Sequence, residues 1–137
     1  MNKLCAVIFV LTLFVTSCRS KQEIEYEQYF NQGQVLYTKH CSNCHQSDGK
    51  GLGLLYPPLN QSDYMQSNFD SVVCIIKFGK TTPTIVNGKT YVQPMKGVTE
   101  LTDLDIAEIA TYIYNEWGGN RGKVKTEDVT EAREKCN

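Results

Sequence analysis

The stretch Gly33-Gln34-Val35-Leu36-Tyr37-Thr38-Lys39-His40-Cys41-Ser42-Asn43-Cys44-His45 decides the fold. It ends in the pattern C-x-x-C-H. Two thiols three positions apart at a helix end lie on one face and can grip neighbouring points of a single flat ligand. The next residue, His45, then offers an imidazole beside them. A zinc ribbon would need a second closely spaced cysteine pair, and Cys74 and Cys136 stand alone. A thioredoxin-like redox pair would sit in a βαβ context, which is absent. Beyond a chance match, the remaining reading is covalent attachment of a c-type haem through Cys41 and Cys44, with His45 on the iron.

Around the motif, Tyr26 to about His40 reads as a helix, with Phe30, Gly33 and Tyr37 spaced to share a face. Gly33 weakens that helix by about 1 kcal/mol relative to alanine, so another backbone is expected to approach it. Residues 47–97 are punctuated by Gly49, Gly51, Gly53, Pro57-Pro58, Pro83, Asn87-Gly88 and Pro94, and read as loop with one short helix near Phe69–Phe78. The clearest helix follows. Thr102 and Asp105 form a capping box, Ile106, Ile109, Ala110, Ile113 and Trp117 keep helical period, and Gly118-Gly119 ends it. A short polar helix is expected over residues 126–135. Fifty residues of loop between two helices is a poor core, so a large non-protein group is expected at the centre.

The first 17 residues read as a signal peptide. A single charge at Lys3 precedes the apolar run from Leu4 to Val15, too short to span a bilayer. Val15-Thr16-Ser17-Cys18 resembles the lipobox of bacterial lipoproteins, which makes Cys18 the expected lipidation site; an ordinary cleaved signal or an uncleaved anchor is the alternative. Residues 18–27 then form a polar tether, 28–121 the domain, and 122–137 a polar C-terminal tail. The expected location is exported, lipid-anchored to a bacterial membrane and facing the periplasm. The chain has 137 residues, net charge -1 and 41% hydrophobic residues, which fits one small domain. Eight Tyr, five Phe and Trp117 argue against disorder, and the absence of excess positive charge argues against a nucleic-acid partner.

The series Gly33-x-x-x-Tyr37-x-x-x-Cys41-x-x-Cys44-His45 resembles class I cytochromes c, and the resemblance covers roughly residues 29–118. It implies an all-α fold in which N- and C-terminal helices cross around one covalent haem c. The crossing is expected at Gly33, against Ile109, Ala110, Tyr112 and Ile113. The run from Leu101 to Gly118, and the tail from Val124 to Arg133, are similar to cytochrome domains attached to bacterial alcohol dehydrogenases, nitrite reductases and terminal oxidases.

With His45 below the iron, His40 is on the wrong side of the motif and Met1 leaves with the signal, so Met65 and Met95 remain for the sixth position. The family places its ligating Met after the central loops and before the last helix, which points to Met95, with Met65 packing at the ring edge. Thioether ligation favours Fe(II) and closes the iron to small molecules. Pro57-Pro58-Leu59 resembles the family's proline turn, and the carbonyl of Pro58 is expected to accept the imidazole N–H. Tyr56, Tyr64, Phe69, Phe78, Tyr91 and Trp117 are expected to wall the haem pocket.

Cys74 and Cys136 are an even pair in an oxidising compartment; a disulfide and two separate thiols both remain open. Residues 39–99 carry six Lys against Asp48, Asp63 and Asp70, whereas residues 100–137 carry five basic and nine acidic side chains. The lysines either steer an acidic redox partner or simply solvate loops. The expected function is single-electron transfer between exported or membrane-bound redox proteins, donor and acceptor both unidentified, by a carrier that is not itself an enzyme. Alternatives are a fixed electron-transfer subunit of a terminal oxidase or denitrification reductase, and a haem sensor or a catalyst that opens the sixth position.

Overall fold

Helix α1 (Lys21–His40) begins at Ser20, whose hydroxyl accepts a hydrogen bond from the Glu23 N–H. The computed structural model describes residues 19–136, so Cys5 and the expected signal and lipidation site lie outside the described residues. Most of the expected tether is therefore helix. Charge pairing accounts for this: Arg19 reaches Glu27 at 2.6 Å and Glu25 reaches Lys123 at 2.7 Å, which fixes the polar first turns against the body.

Helix α1 crosses the last large helix, α5 (Asp103–Glu116), at Gly33. A Cβ on Gly33 would overlap the carbonyl oxygen of Glu108, lie 2.6 Å from its carbon and 2.9 Å from Tyr112 Cβ. The glycine is needed for this close approach. Around the crossing, Phe30, Tyr37, Tyr112 and Trp117 stack mostly edge to face with centroids 5.1–5.5 Å apart. Helix α5 carries the capping box read in the sequence: Thr102 accepts from Asp105 N–H and the Asp105 carboxylate accepts from Thr102 N–H.

Between them lie the one-turn α2 (Ser42–His45), α3 (Asp63–Ser67) and α4 (Phe69–Phe78). Four short strands make two antiparallel ladders. Strand β1 (Gly79–Lys80) pairs with β4 (Met95–Lys96), and β2 (Thr84–Val86) pairs with β3 (Lys89–Tyr91). Residues 47–97 are thus less irregular than expected. The Asn87-Gly88 turn, with both residues at positive φ (50° and 72°), closes a two-residue hairpin.

The C-terminal segment folds back as α6 (Thr126–Glu134) and is more than a polar tail. Val124, Val129 and Ala132 are buried in the same core as Tyr37, Val73, Ile106, Ile109 and Ala110. Asn115 brackets Gly122 with two bonds, and Thr111 accepts from Val124 N–H at 3.0 Å. Asp103 receives Arg133 and Thr130, and the guanidinium holds its carboxyl below the usual range. A disulfide joins Cys74 on α4 to Cys136 after α6. Among the described residues no helix is long and apolar enough to cross a membrane.

Candidate functional site

Helix α1 delivers the motif. Its ladder ends with Cys41 N–H on the Tyr37 carbonyl at 2.8 Å, and α2 restarts when Cys44 and His45 bond back to Cys41. Cys41 and Cys44 are free thiols, so neither is spent on another bond. Burial, and secondarily the nearby Cys44, push the Cys41 thiol up to about 12, so it is held uncharged. Gln46 then turns the chain at φ 62°, a left-handed value for a residue with a side chain, and Tyr37 Oη locks that turn by donating to the Gln46 carbonyl at 2.6 Å. No pattern in the sequence marked Gln46. Tyr37 was legible only as an aromatic at a fixed interval.

His45 is 7% exposed. Its Nδ1 lies 2.9 Å from the Pro57 carbonyl, which can only accept, so Nδ1 carries the proton and Nε2 is left with its lone pair. Burial pulls the imidazole pKa below its ordinary value against the opposing pull of the Pro57 bond, so the ring is neutral near pH 7. That is the protonation state a metal requires. The acceptor corrects the expectation of Pro58. The residue preceding a proline is confined to extended geometry, so the stiffness of Pro58 is expressed in the carbonyl direction of Pro57. Gly51 N–H on the His45 carbonyl and the Leu52–Tyr56 bridge fold the loop so that this carbonyl meets the ring.

These groups open onto a cavity of about 510 Å³, within the roughly 300–1,000 Å³ typical of small-molecule sites. Its walls include Cys41, Cys44, His45, Pro57 and Pro58 on one side, Ile109 and Ile113 from α5, and Met95, Gly97 and Val98 from the β4 segment. Tyr56, Tyr64 and Tyr91 join them as expected, together with Tyr37. Phe69, Phe78 and Trp117 do not. Phe69 packs on Tyr114 beneath Arg121, Phe78 is exposed, and Trp117 fills the core between Tyr37 and Tyr112 while covering Gly49. Both candidate methionines border the cavity, but in different ways. Met65 is 1% exposed, with its carbonyl accepting from Tyr114 Oη at 2.7 Å. Met95, in β4 opposite Lys80, keeps accessible surface.

Two free thiols one turn apart, a neutral imidazole with a free nitrogen and a large, mainly apolar cavity fit a porphyrin attached through sulfur. Among the described residues no cluster of three or more His, Cys, Asp or Glu could hold a bare metal ion.

The comparisons agree. The family model described as cytochrome c matches residues 30–117. The cytochrome c subunit of the quinone-dependent alcohol dehydrogenase of Gluconobacter oxydans is 26% identical over 105 residues, 75% of this chain and 22% of that protein. The fructose dehydrogenase cytochrome subunit of Gluconobacter japonicus is 32% identical over 107 residues, 74% of this chain and 22% of that one. This chain therefore spans about a fifth of the length of those subunits. Cytochrome c-552 of Thermus thermophilus is 27% identical over 97 residues, covering 68% of this chain and 72% of its own. From the motif, the crossed helices and this match, the chain belongs to the cytochrome c family and carries haem c covalently on Cys41 and Cys44.

Proposed function

We propose that the protein is a one-electron carrier whose haem is held between His45 and Met95, moving electrons between exported or membrane-bound redox partners. Bound haem supplies a reversible Fe(III)/Fe(II) couple. The chain's part is to hold it rigidly and keep other ligands off. His45 is oriented by Pro57, which fixes the ring plane and raises the basicity of Nε2. Met95 supports the reading as the thioether that borders the cavity while keeping accessible surface, whereas Met65, which also borders it, is 1% exposed with its carbonyl held by Tyr114 Oη. A second protein ligand removes the open position that a sensor or oxygen-activating catalyst would use. The single observation carrying the reading is that His45 and Met95 line one cavity, Met95 from the β4 wall and Met65 from the buried core.

Replacing Met95 tests it. M95A should abolish the Met–iron charge-transfer absorption of the ferric protein, let the reduced protein bind carbon monoxide and lower the midpoint potential, while M65L should leave all three near wild type. The reverse pattern would make Met65 the ligand and end this assignment.

Exposed Leu52, Leu54 and Leu55, in the loop between the haem motif and Pro57, support brief apolar contact with a partner, and Lys80 and Lys96 at the cavity wall support recognition of acidic groups. A second reading, a fixed electron-transfer subunit, is favoured by the relatives that are cytochrome subunits of dehydrogenases. Copurification of a stoichiometric dehydrogenase from solubilised membranes would favour it over the shuttle. Membrane attachment through lipid on Cys18, on the periplasmic side, completes the proposal and rests on the lipobox-like residues 15–18.

A further inference from the structure

Lys77 sits in the last turn of α4, where a lysine usually neutralises its own helix's carbonyls. Its ammonium instead crosses to another part of the chain. Nζ donates to the Thr99 carbonyl at 2.7 Å and to the Leu101 carbonyl at 2.6 Å. Both lie just after β4, in the segment that forms one wall of the cavity through Met95, Gly97, Val98 and Glu100. Upstream, that wall is tied to α4 and β1 by backbone alone. Met95 pairs with Lys80, Lys96 pairs with Gly79, and Val98 N–H reaches the Ile76 carbonyl at 2.9 Å. Beyond Val98, among the described residues, no backbone hydrogen bond runs to α4, and Leu101 N–H turns back to the Val98 carbonyl at 3.2 Å. Among the described residues, the hydrogen bonds from α4 to residues 99–101 are those of Lys77.

We propose that Lys77 is a positioning residue that clamps the β4 wall against α4 and so keeps the Met95 sulfur on the haem iron. The inference rests on Met95 being the second axial ligand. Between its anchors at β4 and the Thr102 cap, the wall has no backbone hydrogen bond to α4 after Val98 among the described residues, and a shift of that stretch would pass along the chain to Met95. The ammonium braces that stretch. Its partner carbonyls lie just before the Thr102 cap, so the clamp also references the wall to the start of α5. Removing the ammonium leaves two carbonyls without their charged donor, one of them on buried Leu101.

The test uses haem-loaded protein well below its unfolding temperature. K77M keeps the aliphatic stem and loses the donors; K77R keeps donors. In K77M the reduced protein should bind carbon monoxide with an accessible fraction raised about tenfold or more, the factor corresponding to 1.4 kcal/mol. The ferric Met–iron absorption should weaken and the midpoint potential should fall. K77R should restore all three. If K77M is less heat-stable yet has wild-type absorption and remains inert to carbon monoxide, Lys77 is merely structural and the proposal is overturned. M95A separates the two readings: if M95A keeps the absorption and remains inert, the ligand assignment fails and the clamp fails with it, whatever the lysine variants show. Should K77M fail to acquire haem, the wild-type protein provides the reading. The Nζ protons of Lys77 should exchange slowly enough to be seen by NMR near neutral pH, and exchange as fast as that of the other lysines would overturn the clamp.

Discussion

Gly33 shows how much of this fold depends on single atoms. Its side chain is a hydrogen because the Glu108 carbonyl occupies the place of a Cβ, with Tyr112 beside it. G33A must push α1 and α5 apart, and at a backbone contact the neighbour cannot rotate away. We expect a loss of about 3 kcal/mol or more, the upper end for overpacking. The midpoint of guanidinium unfolding of the haem-loaded protein checks it, and an unchanged midpoint would show that the helices do not cross there. The same scale shows what a sequence carries. The spacing of Gly33, Tyr37, Cys41 and Cys44 was legible because each residue type has few substitutes in its role. The choice between Pro57 and Pro58 was not, because it depends on a carbonyl direction set by the following ring. Gln46 at positive φ left no trace either, since its strain is paid by the Tyr37 hydroxyl nine residues earlier.

Among the elements, α4 and α5 could be read to within a residue, because apolar period and the Thr102 cap mark their ends. The β2–β3 hairpin had a signal, Asn87-Gly88 between two β-branched stretches, but its strands are three residues each and bury little. Helix α6 was also placed to within a residue, as a short polar helix over 126–135, but its packing was not legible. Two apolar positions, Val129 and Ala132, among charged neighbours make a weak periodic signal, yet both are buried. The element is held by what lies far away in sequence: Asp103, Asp70 and Cys74. The Cys74–Cys136 bond spans 62 residues, and closing such a loop is worth about 4 kcal/mol in the chain-entropy model. C136S should lower stability by roughly that amount and should loosen α6 before the haem site, because Cys136 follows α6 directly and neither cysteine lines the cavity. Thermal melts followed at the haem and by far-ultraviolet circular dichroism would separate the two events. Equal melting of C136S and wild type would show that the bond contributes nothing.

At the scale of the whole molecule, charge is divided along the chain, with the lysine excess in residues 39–99 and the acidic excess in residues 100–137. Two of those lysines, Lys80 and Lys96, border the cavity. If they steer an acidic partner, electron transfer should be fast at low salt and slow by tenfold or more as ionic strength rises through about 0.1 M, where the screening length is about 10 Å. Stopped-flow rates with a carboxylate-rich acceptor give the answer, and a flat salt profile would remove steering from the account. The rigid start of α1 bears on the same scale. With helix from Lys21 and a rise of about 1.5 Å per residue, a lipid on Cys18 would be joined to the domain through only two residues outside the helix.

Intact mass of the protein purified from membranes tests whether haem c is held covalently on Cys41 and Cys44. A coloured protein that retains one haem through acid–acetone extraction is expected. Its mass should include that haem and, on the proposed anchor, acyl groups at Cys18; the haem alone should be lost in a C41S/C44S double variant. A colourless product, or a red one whose pigment washes out in acid–acetone, would contradict covalent attachment.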